Sequence, residues 1–369
     1  MKTFECSHCG HLVFFENVVC ENCGSALGYL PDSQTMAAFT PDPGGVWTTL
    51  GTAAVQHYRP CQNYTESQVC NWMVAADDPD PLCCSCRYTA IIPQLSQPEN
   101  LRYWYLLEAA KRHLFYTLNE LGLAIPSRSD DPARGLTFHF LESRDPQQHV
   151  VTGHDAGLIT LNIAEANDAE REARRTAMGE PYRTLLGHFR HEIGHFYWEY
   201  LVADGPWLEP FRALFGDETM DYDAALKRHY AQGPAADWNA HFISSYATMH
   251  PWEDWAETWA HYLHIIDALK TAHHWGVSIA VRAQQDTTAS MEQLDLKAKS
   301  FSDVLVNQWL PLAQFLNSMN RSLGQHDSYP FVLSDAVIAK LDFIDRLVQA
   351  SRGMPYSAWP PDCPMTGPG

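Results

Sequence analysis

Residues 185–200 read LLGHFRHEIGHFYWEY, and three histidines and two glutamates interrupt what is otherwise the pattern of a buried helix. Leu186, Phe189, Ile193, Phe196 and Tyr200 recur at helical spacing and supply the apolar side. Residues four apart on a helix lie one above the other, so His191 and His195 of HEIGH can aim two imidazoles at one metal ion with Glu192 beside them. In such a site zinc lowers the pKa of a bound water, and Glu192 serves as general base, taking the proton and passing it to a leaving amine. The bland alternative is a helix with surface or capped histidines. The apolar embedding argues against it, and so does Gly194: glycine inside a helix costs about 1 kcal/mol, and a compact residue there lets another backbone element approach the metal.

Two imidazoles need a third ligand. A further His six residues after the second would make a metzincin, but position 201 is Leu. Glu218 sits in FGDETMDYD, which reads as a loop or turn. The stretch HPWEDWAETWAHYLH (250–264) is better: Glu253 and Glu257 are four apart, His261 is one turn further, and Trp255, Trp259 and Tyr262 cover the core side. One carboxylate of such a pair binds the metal while the other supports a ligand imidazole through its free N–H. Spacing alone does not say which, and an exposed acidic face is the alternative.

The first 95 residues carry different chemistry. CSHCGHLVFFENVVCENCG places Cys6, Cys9, Cys20 and Cys23 in two C-x-x-C-G knuckles, the zinc-ribbon pattern in which four thiolates close a tetrahedral structural site. Cys61, Cys70, Cys83 and Cys86 supply a second, less regular quartet, with Cys84 as a spare thiol; Cys84 with Cys86, or His57 as a ligand, are alternatives. Residues 1–95 hold three basic side chains against nine acidic ones. Thiolate sites add more negative charge, so these modules are expected to serve structure or a protein partner rather than nucleic acid.

The whole chain agrees. It has 369 residues, a formal charge of −19 and an ordinary globular composition, and it lacks the clustered Lys and Arg of a phosphate-binding surface. No apolar run approaches the roughly 20 residues of a membrane helix, and the opening MKTFECSHCG has no signal-peptide core, so a soluble cytoplasmic protein without membrane contact is expected. In a reducing compartment ten cysteines, nine of them between residues 6 and 86, point to metal rather than disulfides. We place a boundary near IIPQLSQPENLRYW, giving 1–95 as a cysteine-rich tandem zinc-ribbon-like region and 96–369 as the second domain. That domain is expected to open with a helix from Leu101 to Leu121. It continues with strands at GLTFHFLE, HVVTGH and GLITLNIAEA, and adds helices over 301–318 and 334–350 before an irregular Pro- and Gly-rich tail.

Together, RTLLGHFRHEIGHFYWEYL, SYATMHPWEDWAETWAHYLH and the preceding cysteine module resemble the bacterial zinc-binding metallopeptidase family that carries an N-terminal zinc-ribbon domain. The resemblance covers nearly the whole chain and implies a zincin-type peptidase. A narrower similarity, confined to motifs, is to the catalytic domain of anthrax lethal factor: HExGH at 191–195, then Ser245, Tyr246, Glu253, Ala256 and Glu257. That similarity implies Glu253 as third ligand and Tyr246 as hydroxyl donor to a developing oxyanion; a buried core tyrosine is the alternative.

The expected fold is therefore α+β: N-terminal zinc-ribbon modules, then a mostly helical zincin-like domain with a small sheet whose edge, GLITLNIAEA, aligns an extended peptide. The expected function is zinc-dependent hydrolysis of a peptide or protein amide bond, with one catalytic and one or two structural zinc ions. An isopeptidase or amidohydrolase acting on a modified peptide, or a non-catalytic zinc-stabilised protein-binding module, are the competing readings.

Overall fold

Alternating knuckles and short strands open the chain, because Gly10 and Gly24, both at positive φ, let each C-x-x-C loop turn back on its first cysteine. Gly10 N–H donates to Cys6 O and Gly24 N–H to Cys20 O, both at 2.8 Å. The computed structural model describes residues 2–143, 150–178, 182–279 and 300–354. Cys363 and the Pro- and Gly-rich stretch 355–369 lie outside those residues, as does His149 of HVVTGH.

Two compact units result, Met1–Thr117 with Pro126–Met178, and Leu118–Ile125 with Gly179–Gly369. In the first, Phe4–Glu5 pairs with Leu12–Val13 beneath the first knuckle. The chain then runs as a five-stranded antiparallel meander, Ala26–Leu30, Thr35–Thr40, Trp47–Leu50, His57–Pro60 and Met73–Ala75. Its core is Leu30, Ala37, Phe39, Tyr58 and Met73. The sequence reading did not foresee this meander.

A second sheet of the same unit has the order Gly153–Asp155, Leu158–Asn162, Thr137–Leu141, Thr89–Ile91. The strand in GLITLNIAEA is thus interior, not the expected edge: it pairs in parallel with Thr137–Leu141 and antiparallel with Gly153–Asp155. A two-residue turn, Ala156 and Gly157 both at positive φ, folds the hairpin over that side. A Cβ at Gly157 would lie 1.9 Å from Arg134 O. Leu158–Thr160 therefore has strand partners on both sides, and IAEA closes as a 3-10 turn over Ile163–Ala166. The expected first helix spans Asn100–Leu121.

The second unit is helical. Thr184 caps the helix Leu185–Leu201, its hydroxyl accepting from Gly187 N–H. His250, an unusual cap, lets its Nδ1 accept from Trp252 N–H at 3.1 Å, with Pro251 following, and starts the helix Pro251–His274. Nε2 of the same ring donates to Met220 O at 3.0 Å. Phe301–Val304, a π-helical turn Leu305–Trp309 and Leu310–Ser322 follow one another, the widened turn meeting Pro311, which has no N–H to donate. Asp335–Ser351 is the last helix. Among the described residues no helix is long and apolar enough to cross a membrane. The architecture is α+β, with a cysteine-rich region of short strands first and a largely helical region second.

Candidate functional site

Gly194 brings the two long helices of the second unit together. A Cβ there would meet Ala256 Cα at 3.1 Å and Trp259 Cβ at 3.2 Å, and Gly194 O accepts from the indole of Trp255 at 2.8 Å. The compact residue serves helix contact, and that contact brings Glu253 beside His191 and His195. Gly194→Val is expected to cost about 1–3 kcal/mol through overpacking, read as a lower denaturation midpoint, and to weaken metal binding with it.

The close crossing sets three donors in one place. His191 Nε2 and His195 Nε2 are 3.2 Å apart. Glu253 Oε2 lies 3.0 Å from the first and 3.6 Å from the second. A tetrahedral zinc with bonds of about 2.0 Å has ligand atoms separated by about 3.3 Å, so these three could hold a metal ion. The chemistry of the donors fits too: two imidazoles and a carboxylate, with His195 and Glu253 buried.

Neighbours orient each donor. Glu257 Oε1 accepts from His191 Nδ1 at 2.7 Å, leaving the Nε2 lone pair directed at the cluster, and Ser244 Oγ holds the other oxygen of Glu257 at 2.6 Å. Tyr222 donates its hydroxyl to Glu253 Oε1 at 2.7 Å. Glu253 Oε2, buried, is turned toward the Nε2 atoms of His191 and His195. The Trp252 ring lies 3.9 Å from that of His195.

Charge follows the same plan. Burial opposes a charged His191, yet hydrogen bonds and attraction from Glu253 and Glu257 raise its proton affinity well above the ordinary range. Burial pushes the Glu253 carboxyl up, but His195 and His191 bring it well below its usual value. Positive charge is thus favoured between these groups. Glu192 differs: burial raises it, and the attraction of His191 and His195 does not cancel that.

Other candidates separate cleanly. Glu218 is bound to Arg212, Oε2 accepting from Nε at 3.0 Å, and His261 Nδ1 meets Tyr329 OH at 2.9 Å. Tyr246 lies in the turn Tyr246–Thr248 with its ring 6.1 Å from that of His191. Sequence reasoning missed Tyr222 and Ser244, since neither belongs to a spaced pattern; Ser244 precedes the quoted SYATMH by one residue. Tyr222→Phe removes one hydrogen bond from the Glu253 carboxylate and is expected to weaken zinc binding about 10–100-fold with the fold intact, measured by competition with a chelator.

Both cysteine quartets assemble as well. Cys6 and Cys23 sulfurs are 3.8 Å apart, Cys9 and Cys20 3.7 Å, and Cys70 and Cys83 3.8 Å. Four thiolates on one zinc at about 2.3 Å stand about 3.8 Å apart, whereas a disulfide needs about 2.05 Å. Cys61, Cys70, Cys83 and Cys86 are all buried. Backbone N–H groups of Cys83, Trp72 and Cys86 point at the sulfurs of Cys61, Cys70 and Cys83. Cys84 stands outside this set, half-buried, and His57 is exposed with its ring against Thr48 Oγ1 at 3.3 Å.

Residues 100–347 match the family described as "Putative zinc-binding metallo-peptidase", with a zinc-ribbon domain matched over residues 3–97. The chain belongs to that metallopeptidase family. The uncharacterized proteins Rv2568c of Mycobacterium tuberculosis and Mb2598c of Mycobacterium bovis are each 44% identical over 349 residues, 94% of this chain and 95% of the relative. No solved structure matches. For this metallopeptidase-family chain, the zinc ions implied by the family fit the donor sets just described.

Proposed function

We propose that the chain is a zincin-type peptidase that hydrolyses an amide bond of a peptide or protein. The observation that carries this reading is the donor triangle of His191, His195 and Glu253 with a buried glutamate, Glu192, in the same electrostatic neighbourhood. When bound there, zinc supplies a Lewis acid that polarises a carbonyl and acidifies water. The protein's own groups do the rest.

Glu192 takes a proton from the attacking water and hands it to the departing amine nitrogen. Burial raises its pKa, which moves the group toward the neutral range where a base that must also act as acid works best. Tyr246, beside His191, donates its hydroxyl hydrogen bond to the oxygen that gains negative charge at the reacting carbon. Glu257 with Ser244 fixes the ring of His191, and Tyr222 leaves Glu253 Oε2 as the donating atom. Residues 1–95 act as the zinc-ribbon region, with Cys6, Cys9, Cys20 and Cys23 on one structural zinc and Cys61, Cys70, Cys83 and Cys86 on another; residues 96–369 carry the peptidase.

The test is an undirected one. Zinc-loaded full-length protein is incubated with a peptide pool of random sequence and the products are read by mass spectrometry. Cleavage that stops on chelation and in Glu192→Gln supports the reading, and a metal-replete protein that cuts nothing contradicts it.

A further inference from the structure

One cavity of the second unit, about 390 Å³, is not used by the site described above. Ala225 and Met249, both buried, are among its lining residues, and Trp238, Phe242, His229 and Thr248 line it as well. Its size lies near the lower end of small-ligand pockets, suited to one large side chain rather than a folded partner.

Two elements join the cavity to the donor triangle. The helix Tyr222–Gln232 holds Glu253 through Tyr222 at its start, and three and seven residues on, along the same helical face, it lines the cavity with Ala225 and His229. The segment 244–249 reaches Glu257 with Ser244 and the cavity with Thr248 and Met249. Between them stands Tyr246, its ring 6.1 Å from that of His191 and 5.9 Å from that of His229. At about 3.3 Å per residue, that path is shorter than four residues of extended chain.

The Phe242 side of the cavity is fixed in place. Lys340, itself buried, lies 4.5 Å from the Phe242 ring centroid and donates to His241 O at 2.8 Å and to Asp254 Oδ2 at 2.6 Å, which ties this wall to the helix Pro251–His274. Burial lowers the proton affinity of His229. The remaining charged lining residues, Arg228 and Asp237, carry opposite signs, so the cavity does not select strongly by charge. The rings of Trp238 and Phe242 and the thioether of Met249 form the apolar part of its wall, against which an aromatic side chain can pack.

We propose that this cavity is a specificity subsite that takes an aromatic side chain of the substrate, within four residues of the bond that is cut. The inference rests on the peptidase reading for the identity of its ligand, but its test reads binding as well as cleavage. A random-sequence pool of short peptides is passed over immobilised, zinc-loaded full-length Glu192→Gln, and the retained peptides are sequenced and then offered to the wild type.

The expected result is enrichment of Phe, Tyr or Trp at one position by about 10-fold or more. It should be lost when Ala225→Trp fills the cavity, while preferences at other positions remain. Trp238→Ala, a change on a half-buried wall, should reduce the same enrichment and guards against misfolding of the first variant. No retained peptides, no aromatic enrichment, or enrichment that survives both variants overturns the subsite. Retained aromatic peptides that the wild type leaves intact would instead sink the peptidase reading and keep the binding site; cleavage without aromatic preference does the reverse.

Discussion

Glu192→Gln is expected to slow peptide hydrolysis by about 10²–10⁴-fold while the zinc content of the chain stays unchanged. The glutamine keeps the shape of the side chain but cannot accept the proton. Glu192 is buried and its carboxyl is already raised, so replacing it with a neutral amide removes a desolvated charge and should not unfold the helix Leu185–Leu201. The donor atoms of His191, His195 and Glu253 are untouched. Activity measured as kcat/KM, beside elemental analysis of the same sample, separates the two effects. Full activity with full zinc would remove Glu192 from the mechanism.

Loss of the second cysteine quartet is expected to have the largest effect on folding. Cys61, Cys70, Cys83 and Cys86 are buried to within 3% of full enclosure, and the neighbouring charges are buried with them. Arg112 donates to Val69 O at 2.6 Å, and Lys111 pairs with Glu108 at 2.9 Å. Structural zinc contributes about 10–16 kcal/mol in small zinc-bound peptides, of the order of a domain's whole stability, about 5–15 kcal/mol. Cys83→Ser should therefore lose one zinc and the cooperative unfolding transition of the first unit. Cys9→Ser, at an exposed corner of the first quartet, should lose one zinc with a smaller fall in melting temperature. Retention of full zinc by Cys83→Ser would show that this quartet is not a zinc site.

The helix pair was legible in the sequence because its information is local. His191 and His195, and Glu253 and Glu257, are i,i+4 pairs set in apolar periodicity, and Pro251 marks where the second helix begins. The spacing could not choose between the two glutamates. Geometry distinguishes them: Glu253 Oε2 faces both Nε2 atoms, and Glu257 faces Nδ1.

What was not legible depends on contacts distant in sequence. The strand Thr35–Thr40, TMAAFT, is buried at four consecutive residues, so it lacks the alternation that marks a half-buried strand. Tyr222 looks like any aromatic residue in an acidic turn until it meets Glu253, 31 residues later. The placement of GLITLNIAEA as an edge failed for a related reason: a strand's own pattern does not reveal that a short preceding strand, Gly153–Asp155, covers it.

The central claim is that the two helices build a zinc site whose third ligand is Glu253. Zinc per chain, counted by elemental analysis in the wild type, Glu253→Ala and Glu257→Ala, tests it most directly. The account predicts about three zinc ions in the wild type, one for each donor cluster. It predicts about two in Glu253→Ala, and about three in Glu257→Ala at saturating zinc, with affinity at the helix site weakened about 10–100-fold. Two zinc ions in all three proteins, or three in Glu253→Ala, would contradict it.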